Sequence, residues 1–190
     1  TGRAWQDRLD PTSARTAAAI AQRTGLSEIL ARIVAGRGVD AEEAESFLVP
    51  TIRELMPDPS SMIDMDPLAA RLAEAITNSE RIALFGDYDV DGAASCALMT
   101  RYLRHFGIDP QVYIPDRIFE GYGPNIAAMD KLIDAGATLI VTLDCGTVSD
   151  APIAHARARG AEVLVIDHHL SDAELPEANA LVNPNRPDDV

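Results

Sequence analysis

Three short segments of the sequence place acids and imidazoles where a cation could sit between them. Asp87, Asp89 and Asp91 alternate in Asp87-Tyr88-Asp89-Val90-Asp91-Gly92, Asp144 opens Asp144-Cys145-Gly146, and Asp167 is followed by His168 and His169. Carboxylates crowded together repel one another unless a cation lies among them. Oxygen-rich sets with one or two imidazoles suit Mn²⁺ or Mg²⁺, with Zn²⁺ and Fe²⁺ also compatible. Taken singly, each segment has a plainer reading. An Asp after a strand often caps a helix or forms a turn, and a His-His pair is commonly an ordinary loop. Capping accounts for at most one of the three alternating acids, however, and all three segments share one setting.

That setting is the end of an apolar run. Arg81 to Gly86, Leu139 to Leu143 and Val163 to Ile166 read as short buried strands, with Gln111 to Pro115 and Ala180 to Val182 as two more. Between them, the spacing predicts helices over Ala93–Phe106, Asn125–Ala135 and Pro152–Arg159, stopped by Gly107, Gly136 and Gly160. A further helix carrying Leu68, Leu72, Ala75 and Ile76 precedes the first strand. Apolar strands alternating with amphipathic helices imply an α/β domain with a parallel sheet flanked by helices. In such sheets ligands bind beyond the carboxyl ends of the strands, where the acids and histidines fall.

Residues 1–66 read as a helical N-terminal extension and connector, and 67–190 as the α/β domain. Thr12-Ser13 is placed to cap a first helix through Ala17, Ile20 and Ala21, ending near Gly25. Leu26, Ile29, Leu30, Ile33 and Val34 fall at helical spacing before Gly36 and Gly38. Asp40 is placed to cap a third helix over Ala41–Leu48. Pro57, Pro59 and Ser60-Ser61 mark a connector.

Composition sets limits. The 190 residues carry 16 Lys and Arg against 30 Asp and Glu, a net charge of −14, and 47% are hydrophobic, enough for a buried core. A pI near 4.5 argues against a DNA-coating protein, whose domains usually exceed pI ~9. No run approaches the ~18–20 apolar residues of a membrane helix, and the first thirty residues hold no signal-peptide core. Cys96 and Cys145 form no C-x-x-C, which excludes a disulfide scaffold and a cysteine zinc site. A reduced, cytoplasmic setting is expected, with no membrane partner. The sequence begins at Thr1, as an excised piece would.

Two acid-rich alternatives fail on the sequence. Asp87-x-Asp89-x-Asp91-Gly92 matches half of an EF-hand loop, but the twelfth position is Leu98 rather than a bidentate Glu, and a strand precedes it. Phospho-receiver domains use adjacent acids and a lysine at a late strand end. The only lysine here, Lys131, falls within a predicted helix.

Leu84-Phe85-Gly86 followed by Asp87 to Gly92, Asp144-Cys145-Gly146 and Asp167-His168-His169 resembles the first three motifs of the DHH phosphoesterase superfamily. The match is closest to the N-terminal part of the RecJ-type single-strand-specific exonucleases. Supporting stretches are Arg37-Gly38, Ala41 to Ala44, Phe47-Leu48, Met65-Asp66, Tyr113 to Arg117, Gly121-Tyr122-Gly123 and Asn183-Pro184. The resemblance implies hydrolysis of phosphodiesters with two Mn²⁺ or Mg²⁺ ions, 5′ to 3′ along single-stranded DNA, in DNA repair and recombination. Two close cations lower the pKa of a shared water and stabilise both attacking and leaving oxygens.

By the family pattern, Asp89, Asp91, Asp144 and His168 are metal ligands. Asp144 bridges the ions, and Asp87 is a ligand or a support for the loop. Asp167 supports a histidine, and His169 meets a phosphate oxygen or protonates the leaving group. Arg117 to Asn125 reads as a surface loop or as a substrate loop in which Tyr122 stacks on a base. The family also has a fourth motif, an Asp well beyond Asp167-His168-His169, and then a second domain. Asp172, Asp188 and Asp189 lack a strand-end setting, so the chain is expected to be a fragment with an incomplete site. It should bind Mn²⁺ weakly, bind single-stranded DNA weakly or not at all, and be nearly inactive. Removing one of several repelling acids, as in Asp89→Ala, is expected not to destabilise it. The alternatives are a DHH phosphoesterase for oligoribonucleotides, cyclic dinucleotides or pyrophosphate, and a catalytically dead binding module.

Overall fold

The computed structural model describes residues 2, 4 and 8–189. The chain forms two compact units, Thr1–Pro57 and Asp58–Val190.

In the first unit the helices are α1 (Pro11–Thr24), α2 (Glu28–Ala35), α3 (Ala44–Leu48) and α4 (Ile52–Leu55). Asp10, not Thr12 or Ser13, caps α1: its carboxylate accepts the Ser13 amide, and Pro11 takes the first helical position, where a missing N–H costs nothing. Gly25 ends the helix at φ 72°. The α2 residues at helical spacing divide between core and surface. Ala31, Val34 and Ala35 are buried against Ala17 and Ile20, while Ile29, Leu30 and Ile33 are exposed. Small side chains at this contact let α1 and α2 approach closely. The third helix begins at Ala44 instead of Ala41, because residues 41–43 form a turn. Helix α4 lies in the stretch between Pro50 and Pro57 for which no element was expected.

In the second unit a 3₁₀ turn (Pro59–Ser61) leads into α5 (Met65–Thr77). There follow β1 (Ile82–Gly86), α6 (Val90–His105), β2 (Gln111–Tyr113), α7 (Ile126–Asp134), β3 (Leu139–Leu143), α8 (Asp150–Ala158), β4 (Glu162–Ile166) and β5 (Ala180–Val182). The five strands form one sheet in the order β2-β1-β3-β4-β5, and every pairing is parallel. This is the expected parallel sheet flanked by helices. Successive strand residues point to opposite faces, and both faces are covered. Ala83, Phe85, Ile140, Val163, Val165 and Leu181 pack on α7 and α8 through Met129, Leu132 and Ile153. Ile82, Leu84, Val141, Leu143, Leu164 and Val182 pack on α5 and α6 through Leu68, Leu72 and Leu103. Strand β2 stops at Tyr113 rather than Pro115, whose ring nitrogen has no hydrogen to give a ladder.

Register is what matters for function. Gly86 pairs with Leu143, Leu143 with Ile166, and Ile166 with Val182. The next residue on each strand therefore falls in a single row: Asp87, Asp144, Asp167 and Asn183. The ladder continues through them, with the Asp87 amide donating to Leu143 O at 3.3 Å, Asp144 to Ile166 O at 2.9 Å and Asp167 to Val182 O at 3.0 Å.

Candidate metal centre

The row lies at the carboxyl end of the sheet, and strand order reverses between β1 and β3, where ligands of such sheets gather. Asp87 and Asp89 follow β1, and Asp144 follows β3. Helix α6 begins at Val90, earlier than Ala93, because Asp89 caps it. The Asp89 carboxylate accepts the amides of Asp91 at 2.9 Å and Gly92 at 3.1 Å. Two of the helix's orphan donors are satisfied this way. The cap also means that removing the Asp89 carboxylate disturbs the helix start, which the expectation of an indifferent Asp89→Ala did not include.

Gly92 is buried, and a methyl there would stand 2.6 Å from the Asp87 nitrogen and 2.7 Å from its carbonyl carbon, nearer still to its oxygen. Only glycine lets the first turn of α6 lie against the main chain of Asp87. Asp144 adopts φ 64°, a left-handed conformation that Asp and Asn tolerate better than other side-chain-bearing residues.

Two groups of ligand atoms result, each with its members within 4.8 Å of one another: Asp87, Asp89 and Asp144, and Asp144, His168 and His169. Asp144 belongs to both. His168 Nε2 lies 3.0 Å from Asp144 Oδ1. The Asp91 carboxylate belongs to neither group. Asp188 is paired with Arg186, Asp189 accepts the Ile63 amide, and neither these nor Asp172 joins a group.

The electrostatics show what the site is suited to hold. Asp87 and Asp144 are 2% and 6% exposed, and one oxygen of each, Asp87 Oδ1 and Asp144 Oδ2, has no hydrogen-bond partner. Buried carboxylate oxygens are almost always satisfied, and leaving one bare in a low dielectric is costly. Burial, and then the neighbouring Asp89 carboxylate, push the Asp144 carboxyl above its usual range. Asp89 itself is held low by the Gly92 amide. An oxygen-rich set with bare, buried oxygens and flanking imidazoles fits a hard divalent cation such as Mn²⁺ or Mg²⁺.

Asp167 differs from its neighbours in the row because its oxygens are used. It accepts the amides of Thr147 at 3.0 Å, His168 at 2.7 Å and His169 at 3.2 Å, and the His169 Nδ1–H at 2.7 Å. Burial opposes its charged form, but the bonds from His169 and Thr147 outweigh burial and hold the carboxyl low. The bond to Asp167 also raises the His169 pKa. Asp167 therefore orients a histidine.

Tyr122 covers that histidine, its hydroxyl 3.2 Å from Nδ1 and 3.4 Å from Nε2. It packs edge-on against Tyr88, and the Arg117 guanidinium lies 5.0 Å from the Tyr88 ring centre. Burial, then the nearby acids, raise the Tyr122 pKa, so it stays a phenol. The loop of residues 117–125 thus reaches the histidine side of the site. Asn183 and Thr147, which the sequence reading gave no role, join the row through hydrogen bonds. The available signal was Asn183's place directly after an apolar strand, the same place Asp87 and Asp144 occupy.

A family model described as "DHH family, N-terminal domain" matches residues 81–189. The single-stranded-DNA-specific exonuclease RecJ of Bacillus subtilis is 33% identical over 168 residues, 88% of this chain and 21% of that protein. Its counterpart from Salmonella typhimurium is 38% identical over 162 residues, 84% of this chain and 27% of that protein. The crystal structure of RecJ from Thermus thermophilus in complex with Mn²⁺ superposes with TM-score 0.71 at 26% identity, over 95% of this chain and 25% of that one. The chain thus spans between a fifth and a third of the length of these relatives.

Proposed function

The chain belongs to the DHH family, and we propose that it is the metal-binding N-terminal part of a RecJ-like exonuclease that cleaves single-stranded DNA from its 5′ end during repair and recombination. The observation that carries this reading is the pair of ligand groups sharing Asp144, with buried carboxylate oxygens that lack a partner. On this reading Asp87, Asp89 and Asp144 would hold one divalent ion, and Asp144 and His168 a second; ions bound there would lower the pKa of a water and offset the charge of the attacked phosphate.

The chain's own residues do the rest. Asp144 joins the two positions from a buried strand end. Asp167 fixes His169 through Nδ1, leaving Nε2 to meet a phosphate oxygen or the leaving oxygen. Tyr122, over His169, would stack on a base, and Arg117, beside Tyr88, would contact a phosphate. Asp91, in the first turn of α6 beside the Asp89 cap, would add a further carboxylate for the ions, as the family pattern implies. At a net charge of −14 the chain repels a polyanion, so a grip on DNA is assigned to other parts of the whole enzyme. No described helix is long and apolar enough to cross a membrane.

The test has two arms. Calorimetry of Mn²⁺ binding to this chain should give a site that Asp144→Asn removes. Degradation of 5′-labelled single-stranded DNA by the full-length parent should require Mn²⁺ or Mg²⁺ and fail in the same variant. Undiminished activity in Asp144→Asn would overturn the reading.

A further inference from the structure

We propose that Asn183 is a positioning residue for the histidine pair, clasping the loop after β4 to the loop after β3 from the end of β5. The inference rests on the metal-centre reading above and assigns a role that the acids and histidines alone do not cover.

Asn183 is fully buried and stands fourth in the row that begins Asp87, Asp144, Asp167. Both hydrogens of its amide are committed, one to Thr147 Oγ1 at 2.8 Å and one to the His169 carbonyl at 2.9 Å. Its Oδ1 accepts the Asn185 amide at 2.8 Å, and the Asn185 side chain donates to the His168 carbonyl. The main-chain carbonyls of both histidines are thus held from one segment. Thr147 extends the clasp, because its own amide donates to Asp167 Oδ2, the carboxylate whose other oxygen orients His169.

The chemistry selects an amide at this point. Two carbonyl and hydroxyl oxygens face it on one side and an N–H on the other, so only a group with two donors and an acceptor fits, in one orientation. A carboxylate of the same shape offers no hydrogen to the His169 carbonyl and adds a fourth negative charge beside Asp87, Asp144 and Asp167. An isosteric hydrocarbon leaves that carbonyl and Thr147 unsatisfied. Releasing the clasp frees the main chain at 168–169, and with it the rings that must meet a metal and a phosphate. Partners that orient ligands in this way typically contribute 10–100-fold to metal affinity.

Three variants of this chain test the role: Asn183→Asp, Thr147→Val as a milder release, and Leu72→Ala in the core on the α5 side of the sheet as a stability control. We expect Asn183→Asp to weaken Mn²⁺ binding at least about tenfold and Thr147→Val to weaken it by a smaller factor. Leu72→Ala should melt earlier yet bind as the parent does. In the metal-free chain, long-range ¹H–¹⁵N spectra should show the His169 Nδ1 proton held on Asp167 in the parent and lost to exchange in Asn183→Asp. If Asn183→Asp is unfolded, Thr147→Val decides by the same two readouts. Mn²⁺ affinity within about twofold of the parent in a folded Asn183→Asp would overturn the proposal. If the parent binds no Mn²⁺, the metal reading fails, and the spectra alone judge the clasp: a His169 proton retained in both variants overturns it.

Discussion

Replacing Gly92 by alanine puts a methyl into the contact that seats α6 on the end of β1. The methyl would stand 2.6 and 2.7 Å from two main-chain atoms of Asp87 and closer to a third, roughly 1 Å inside an ordinary carbon contact. Overpacking a tight site costs about 1–3 kcal/mol. Because the obstacle is main chain and not the tip of a side chain, the upper end applies. Alanine returns up to about 1 kcal/mol of helix propensity, leaving a net loss of about 2 kcal/mol. For a unit the size of residues 58–190, that lowers the melting midpoint by roughly 5–8 °C.

The functional effect follows from the same displacement. Asp87 and Asp89 lie on the segment that must move, while Asp144 is anchored by β3 and β4. A shift of about 1 Å between ligands can cost on the order of 10²-fold in a positioned site. Calorimetric melting and Mn²⁺ binding on Gly92→Ala and the parent measure both. A variant that melts within about 1 °C of the parent and binds Mn²⁺ equally well would refute the reasoning, because the close approach would then be neither tight nor needed.

The remaining predictions use neighbouring contacts. A methyl at Gly86 would overlap Cys96 Sγ, a side chain that can be removed, so Gly86→Ala should cost about 1–3 kcal/mol and adding Cys96→Ala should recover most of it. A double-mutant cycle on melting checks this, and strict additivity would contradict it. Asp89→Asn keeps an equally good helix cap but removes a charge from the site, so it should melt no lower than the parent while Asp89→Ala melts lower. Both should lose more Mn²⁺ affinity than the roughly 10–100-fold tied to an outer partner. With chelator present, Asp144→Asn should melt above the parent at neutral pH, since Asn also tolerates the left-handed φ. The Asp144 carboxyl is raised in the fold, so its penalty is complete above the folded pKa and absent below the unfolded value of about 3.9. The advantage of Asp144→Asn should therefore fade as pH falls through that window, and an advantage that persists in acid would contradict the assignment.

Strands β1, β3 and β5 were legible because their residues are buried on both sides, so each reads as an unbroken apolar run. Leu139–Leu143 and Ala180–Val182 begin and end where the sequence places them. Helix starts were less legible, because the residue that decides them is a cap, and caps look like other things. Asp10 sits before a proline, outside the apolar pattern. Asp89 reads as a ligand candidate from its neighbours, yet its carboxylate also starts α6 at Val90, three residues before Ala93. Periodicity places α2 without saying what it meets: α1 meets Ala31, Val34 and Ala35, and leaves Ile29, Leu30 and Ile33 exposed.

The fate of Asp91 and Asn183 shows what a linear reading lacks. Alternate residues share a face only while the chain is extended. The chain turns helical at Val90, so Asp91 sits in the first turn of α6, and its carboxylate lies outside both ligand groups. Asp87 and Asp89 come together with Asp144 across the bend that joins β1 to α6. Asn183 is the converse case. Nothing within Ala180 to Pro184 links it to residues that precede it by fourteen and thirty-six positions. The link is made by register: three successive parallel pairings carry the row from Gly86 through Leu143 and Ile166 to Val182. A slip of one residue between β4 and β5 would move Asn183 out of line with Asp167 and away from Thr147 and the His169 carbonyl. The apolar burial that fixes the sheet therefore also fixes which amide meets the histidines.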